Sequence, residues 1–469
     1  MNIAIKPFST PGGYYVYNRE TNGILSVDLN EYEMFQRIYK KVATDEDHAN
    51  LKTFQERGFR IESKLKKIEH PQNKFIDFHL ENKIEKITLQ VTQDCNLRCA
   101  YCSYSGGYDQ RTHSNKMMSY ETMQKSVDFL MQRSMNSKRV DIGFYGGEPL
   151  LMFHRIKKLF TYIEQTYPYK EISYSLTTNG TIFTDKVIDF LSEKGVNVTI
   201  SIDGPKEIHD KNRVFKNNEG SFDLIMKNLE KIRENHPSFF KKISFSTVIA
   251  PGNDYKCVDD FYNASEVMED NLIFTSSVNE FNSKDEVTYD EQYFVTYNLQ
   301  KMRMLLAMLG FLDEEKISKL FTQTKVLIGQ FHDDLGKLAG LGEIGHPGGP
   351  CIPGARRPMV DVDGNLFPCE RVSESSDNMK IGNIESGFDL EKVKGILNIG
   401  QITEQECLNC WNFLNCAICA VATDDTTIFS RKEKLNRCRG EMNETLSMLE
   451  TICLLKENGF DFEKESQYG

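Results

Sequence analysis

Positive charge is scarce in this sequence: 57 Lys and Arg stand against 68 Asp and Glu, for a formal net charge of -11. Nucleic-acid binding depends on Lys and Arg neutralising phosphates, so no nucleic acid is expected as the partner. Long apolar runs are missing too. The longest near a helical stretch, residues 305–312, falls far short of the roughly 20 residues that span a bilayer. Residues 1–6 show no basic segment leading into an apolar core, so neither a secretory signal nor a membrane partner is expected, and the chain is placed in the cytoplasm. A reducing cytoplasm disfavours disulfides, which leaves metal as the reason for clustering among twelve cysteines. The rest is an ordinary globular composition, 39% hydrophobic and 27% charged, at a length that fits two or three domains.

From residue 84 onward, strand patterns at 84–91, 140–145, 172–177, 196–202, 243–249 and 272–278 alternate with helical patterns such as 119–135, 185–194, 221–235 and 255–269. Six βα repeats with right-handed crossovers specify a curved parallel sheet whose strand ends converge on one mouth. Cys95, Cys99 and Cys102 follow the first strand directly, spaced C-x3-C-x2-C. Three cysteines supply one ligand fewer than a closed zinc site or a fully protein-ligated cubane, so a fourth position stays open for chemistry. A zinc site or a loop of buried thiols is the plainer alternative. Gly146-Gly147-Glu148-Pro149 ends the second strand, where the glycines let backbone approach a ligand and Glu148 can accept from an ammonium group. Thr177 and Asn179 end the third strand, Ser201 and Asp203 the fourth, and Arg213 follows.

The octapeptide at 95–102, with Tyr101 just before the third cysteine, resembles the signature of the radical S-adenosylmethionine (SAM) superfamily, and the likeness extends over residues 84–280. The resemblance implies an α/β fold with a partial (β/α)6 barrel. It implies that Cys95, Cys99 and Cys102 hold a 4Fe-4S cluster whose fourth iron chelates SAM, which an injected electron cleaves to methionine and a 5′-deoxyadenosyl radical. By the same likeness Gly146, Gly147, Glu148 and Pro149 meet the methionyl amine, and Ser201 and Arg213 meet the ribose and the carboxylate. Tyr101, Thr177, Asn179 and Asp203 join them as SAM-side residues.

Ahead of the barrel, residues 1–80 read as a hairpin turning at Asn22-Gly23, a helix capped by Asn30, a second helix from Asp47 to Gly58 and a short strand at 59–61. This pattern resembles the winged-helix-like recognition domain that captures a precursor's leader peptide by strand addition. Residues 66–83 read as a polar linker. Residues 281–350 form a helical bridge in which Leu299, Met302, Leu305, Leu306 and Leu309 make one apolar stripe, expected to be core.

The region 351–440 holds Cys351, Cys369, Cys407, Cys410, Cys416, Cys419 and Cys438. The run C-x2-C-x5-C-x2-C-x18-C is too compact for a zinc ribbon and resembles a C-terminal cysteine-rich SPASM domain, which implies two auxiliary 4Fe-4S clusters. One falls to Cys407, Cys410, Cys416 and Cys438. The other has only Cys351, Cys369 and Cys419, leaving one iron open to a substrate thiolate, a water, a carboxylate or Cys257. Cys257 and Cys453 read as core residues, and residues 441–469 as a C-terminal helix and tail. The expected activity is thioether formation between a cysteine sulfur and a carbon of a ribosomal precursor peptide, as in sactipeptide and ranthipeptide maturases, with a flavodoxin or ferredoxin as electron donor. Formylglycine generation, carbon-carbon crosslinking and a non-catalytic electron-transfer module are the alternatives.

Overall fold

Lys86–Thr92, Arg139–Gly146, Glu171–Thr178, Asn197–Ser201, Ser244–Ile249 and Ile273–Ser277 form six parallel strands, paired in chain order. The computed structural model describes residues 4–465 except 57–58, 61–62, 110, 269–270, 282, 338–339 and 349–350. Alternation decides which face each side chain takes. Ile87, Leu89, Val140, Ile142, Phe144, Leu176, Val198 and Ile200 pack into one large core with Leu130, Phe160, Leu191 and Leu229 of the crossover helices. Lys86, Thr88, Gly143, Tyr145, Ser175 and Thr177 instead line a cavity of about 120 Å³ on the opposite face. A closed barrel of this type fills its interior with bulky branched side chains. Here the strands carry hydroxyls and charges inward, which leaves polar space.

The sheet ends at Ile273–Ser277 on one side. On the other it continues: Met359–Val360 pairs in parallel with Lys86–Thr92, and Asn365–Phe367, Gly382–Asn383 and Gly387–Phe388 follow antiparallel. The cysteine-rich region therefore shares backbone hydrogen bonds with the barrel and brings Arg357 and Glu370 to the cavity.

Ile5–Thr10, Gly13–Asn18 and Gly23–Val27 make a separate antiparallel sheet, packed with Leu29–Tyr39 and Asp45–Glu56 around Val16, Phe35 and Phe54. Asn22 adopts a φ of 47° just before Gly23, the left-handed turn conformation that Asn tolerates. Asp28 rather than Asn30 caps the first helix, in a capping box with Glu31. Phe59 and Arg60 are not in a strand; Gly58 and Ile61 lie outside the described residues. Residues 66–83 are no linker. Lys67–Ile68 pairs with Ile344–Gly345, and Ile76–Asn82 is a helix that buries Ile76 and Leu80 in the main core.

The bridge also departs from expectation. Helix Glu291–Met308 buries Thr296, Gln300, Met304, Leu305 and Ala307, while Leu299 and Met302 are 55% and 50% exposed. With apolar residues on most sides, the pattern did not single out the face that docks. Helix Arg431–Glu457 starts ten residues before the expected C-terminal segment and carries Cys438. Among the described residues no helix is long and apolar enough to cross a membrane.

Candidate active site and cysteine centres

The cysteine loop is held on three sides. Leu97–Cys99 pairs antiparallel with Arg213–Phe215, setting Cys99 opposite Arg213. Beneath it, a Cβ on Gly147 would stand 2.0 Å from the Asp94 carbonyl oxygen, and one on Gly146 would stand 2.1 Å from that of Thr92. The two glycines thus let the second strand's end press against the cysteine loop's own backbone. Laterally, Asn96 bonds to Asn179 and Thr181.

Each thiol of the loop receives a donor. Leu97 N–H and Asn179 Nδ2 reach Cys95 Sγ at 3.4 and 3.7 Å, Tyr104 N–H reaches Cys102 Sγ at 3.5 Å, and Arg213 Nη1 reaches Cys99 Sγ at 3.9 Å. Burial pushes the Cys95 thiol up to about 12 and the Cys99 thiol up to about 11, the latter against the opposing charge of Arg213; Cys102 is raised too. Unliganded, these groups are neutral. Only a bound cation that replaces their protons makes them thiolates, which the surrounding donors then stabilise. Among the described residues no three His, Cys, Asp or Glu side chains converge on one point, as a mononuclear zinc site requires.

Asp203 organises the strand-four side. It is fully buried, and its carboxylate accepts from Tyr101 Oη, from Arg213 Nε at 2.9 Å and from Val248 N–H at 3.1 Å. The Arg213 guanidinium also stacks over the Tyr101 ring at 5.4 Å. Arg213 is therefore aimed at the cysteine loop by Asp203. Ser201 is half-buried two residues earlier, at the same end of the sheet.

Glu148 departs from the expectation of a ligand-facing carboxylate. It is fully buried and accepts from Leu150 N–H at 3.0 Å, Thr178 Oγ1 at 2.7 Å and Asn179 N–H at 2.8 Å, so it ties the end of strand two to strand three. Burial pushes its pKa up to about 7 against those three bonds. Pro149 opens the short 3-10 turn Pro149–Met152 behind it. Thr177 is exposed to the cavity, while Asn179 is buried beside Cys95.

The cavity is lined from both the barrel and the cysteine-rich region. Tyr145 lines it, and this half-buried phenol, raised to about 12 by desolvation, lies near Arg111, Glu370 and Cys102. Glu370, next to Cys369, pairs with Arg357 at 3.3 Å at the cavity rim. Lys86 pairs with Asp141 at 2.8 Å and donates to Ser175.

The C-terminal cysteines occupy two neighbourhoods. Cys410 is raised by burial and, less, by Cys407 and Cys438; Cys416 is coupled to Cys410 and Cys438 to Cys407. Separately, Cys351 is coupled to Cys419 and Cys369 to Cys351. Cys257 belongs to neither. It is exposed at the start of helix Tyr255–Ala264, where its thiol donates to Asp254 at 3.3 Å, so it is not the core residue its spacing indicated. Cys453 is buried with Phe8, Tyr17, Trp411 and Leu449. Two buried cations beside these centres, Arg19 and Lys434, carried no sequence signal, because each stands in a polar run indistinguishable from solvated surface.

Three donor-fringed thiols at the carboxyl end of an open parallel sheet define an α/β protein whose cysteine loop is built to hold a metal group. Residues 89–264 match the radical SAM superfamily. A 4Fe-4S cluster and SAM are the cofactors that this match implies. The chain is 27% identical over 277 residues to the radical SAM cyclopropyl synthase TigE of Paramaledivibacter caminithermalis, covering 55% of this chain and 58% of that one. It is 27% identical over 337 residues to a cysteine-type anaerobic sulfatase-maturating enzyme of Clostridium novyi, covering 68% and 83%. Native anSMEcpe with bound AdoMet shares the fold, with a TM-score of 0.57 at 20% identity over 79% of this chain and 99% of that one. The chain spans 45% and 58% of the length of the first two curated relatives it matches. The architecture is a partial barrel extended by a cysteine-rich C-terminal region.

Proposed function

We propose that this chain is a peptide-modifying radical SAM enzyme that joins a cysteine sulfur to a carbon of a precursor peptide. The observation that carries the reading is the polar cavity between Tyr145, beside Cys102, and Glu370, beside Cys369. A substrate residue seated there lies between the SAM-cleaving centre and a cysteine group that is one thiol short of closing a cubane.

In this reading Cys95, Cys99 and Cys102 hold the SAM-binding cluster, which supplies a hydrogen-abstracting radical when loaded. Arg213, positioned by Asp203 and Tyr101, pairs the SAM carboxylate, and Ser201 meets the ribose. Glu148 keeps Asn179 and Thr178 in place rather than touching SAM itself. Cys407, Cys410, Cys416 and Cys438 would hold one auxiliary cluster and Cys351, Cys369 and Cys419 the other, which, one protein ligand short, would supply a binding position for the substrate sulfur. The sheet Ile5–Thr10, Gly13–Asn18, Gly23–Val27 has free edges among the described residues and takes the leader as an added strand. The cytoplasm is the compartment that keeps these thiols reduced. A flavodoxin or ferredoxin supplies the electron.

The likeness to sulfatase maturases favours formylglycine generation as a second reading. The structural match to anSMEcpe leaves part of this chain uncovered while covering almost all of the other, so this chain carries a segment with no counterpart there, as a leader-binding unit requires. Anaerobic incubation of the reconstituted enzyme with SAM, dithionite and a cysteine-containing precursor separates the outcomes. A product lighter by two hydrogens with one fewer alkylatable thiol supports the thioether. The same mass change with every thiol free points to a carbon-carbon bond, and an aldehyde trapped by hydrazide to formylglycine; either result overturns it.

A further inference from the structure

Lys434 stands in the first turn of helix Arg431–Glu457, within a charged run that reads as surface, yet it is 1% exposed. Its ammonium donates to Thr403 Oγ1 at 2.7 Å and to Cys407 Sγ at 3.5 Å, and no carboxylate among the described residues pairs with it. The other buried cations differ. Arg19 has Glu20 at 2.8 Å, Arg111 has Glu374 at 3.1 Å and Arg213 has Asp203 at 2.9 Å. A lone ammonium out of water is costly by several kcal/mol, so a buried Lys requires an anion beside it.

The surroundings name that anion. Cys407 is in contact, Thr403 Oγ1 lies 3.2 Å from the same sulfur, and Cys438 sits one helical turn after Lys434, its thiol donating to the Lys434 carbonyl. Burial pushes Cys416 and Cys438 up, and the charge of Lys434 opposes that shift at both. As thiols these groups are neutral and leave the ammonium uncompensated. As four thiolates around an iron-sulfur core they carry net negative charge.

We propose that Lys434 is the resident counter-ion of an auxiliary cluster on Cys407, Cys410, Cys416 and Cys438, donating to the Cys407 sulfur and raising that cluster's reduction potential. The inference rests on the cluster reading above. Hydrogen bonds and net charge at the sulfurs set the potential. At the SAM-side centre the nearest cation, Arg213, is neutralised by Asp203; at the Cys351 group, Arg357 is neutralised by Glu370. Lys434 gives its centre an ammonium bonded directly to the Cys407 sulfur, against the charges of Glu406 and Glu441 that also act on Cys438, so its removal lowers that centre's potential. Lys434 is thus a positioning and tuning residue, acting through Cys407.

The test uses the full chain with Cys95, Cys99 and Cys102 replaced by Ala, so that only the C-terminal centres report, reconstituted anaerobically with iron and sulfide. Redox titration followed by electron paramagnetic resonance compares this chain with Lys434→Met and Lys434→Arg. The expected result is that Lys434→Met lowers one of two potentials by at least ~59 mV, a tenfold shift in a one-electron equilibrium, or loses that cluster's iron, while Lys434→Arg retains both. A packing role is met equally well by Met, so full iron and unmoved potentials in Lys434→Met overturn the inference while leaving the cluster reading intact. A background chain that takes up no iron and sulfide overturns both. If Lys434→Met does not fold, Lys434→Gln, which keeps a donor to Thr403 and removes only the charge, is read the same way.

Discussion

Glu148 binds a proton more tightly in the fold than in the unfolded chain, because burial raises its pKa from 4.5 to about 7. Between those values the folded protein keeps a proton that the unfolded chain has released. Its contribution to stability is therefore whole below pH 4.5 and falls as pH rises, by on the order of 3 kcal/mol once pH passes 7. Glu148→Gln removes the titration. Thermal unfolding at pH 5 and pH 8 is expected to show wild type losing more stability than the variant between the two; an equal change in both refutes it. The sequence marked Glu148 through its place in a motif but not through its partners. Thr178 and Asn179 lie thirty residues on and become neighbours only because the parallel register of strands two and three brings both strand ends to one level. The hub role of Asp203 was hidden in the same way, since its turn-like context gives no hint of Tyr101, Arg213 and Val248 meeting at one carboxylate.

At the scale of elements, the six strands were legible because their apolar residues alternate and each βα unit repeats the pattern. Where periodicity was blurred, reading failed. Residues 76–82 carry Asp77 and Glu81 among few apolar positions, and only Ile76 and Leu80, one turn apart, reveal a helix that closes the core. Helix Glu291–Met308 fails the other way: Phe294, Val295, Leu299 and Met302 are exposed while Thr296 and Gln300 are buried, so hydrophobicity marks the wrong face. Leu299→Gln is accordingly expected to change stability by no more than about 0.5 kcal/mol. Met304→Ala, at a fully buried position, is expected to cost about 2–5 kcal/mol through lost packing and a residual cavity. Thermal shifts of both variants decide it, and equal costs would restore the sequence-based assignment of the stripe as core.

Across the whole molecule, the N-terminal sheet and the C-terminal cysteines, nearly four hundred residues apart, form one structure at Arg19. Its guanidinium is fully buried, donates to the carbonyls of Leu408 and Cys410 at 2.9 and 3.0 Å, pairs with Glu20 and lies over the Phe413 ring at 5.6 Å. Tyr17, beside it, accepts from Asn415 at 2.9 Å and meets Trp411 edge-on. The loop carrying Cys410 is thus moulded on the sheet proposed to take the leader, and the N-terminal unit walls in the Cys410 loop as well as offering that proposed edge. Arg19→Met strands Glu20 as a buried carboxylate and frees two carbonyls, a loss of about 3–5 kcal/mol for breaking a buried pair. If the wall matters to the centre, the variant also loses iron from the C-terminal cysteines while the 95–102 loop, on a separate part of the sheet, keeps its own. Double replacement of Arg19 by Met and Glu20 by Gln removes the stranded charge and is expected to recover much of the thermal stability but not the iron, because the Cys410 carbonyl still lacks the Arg19 donor. Iron and sulfide per chain in the two variants check this, and full loading in both would reduce the contact at Arg19 to packing alone.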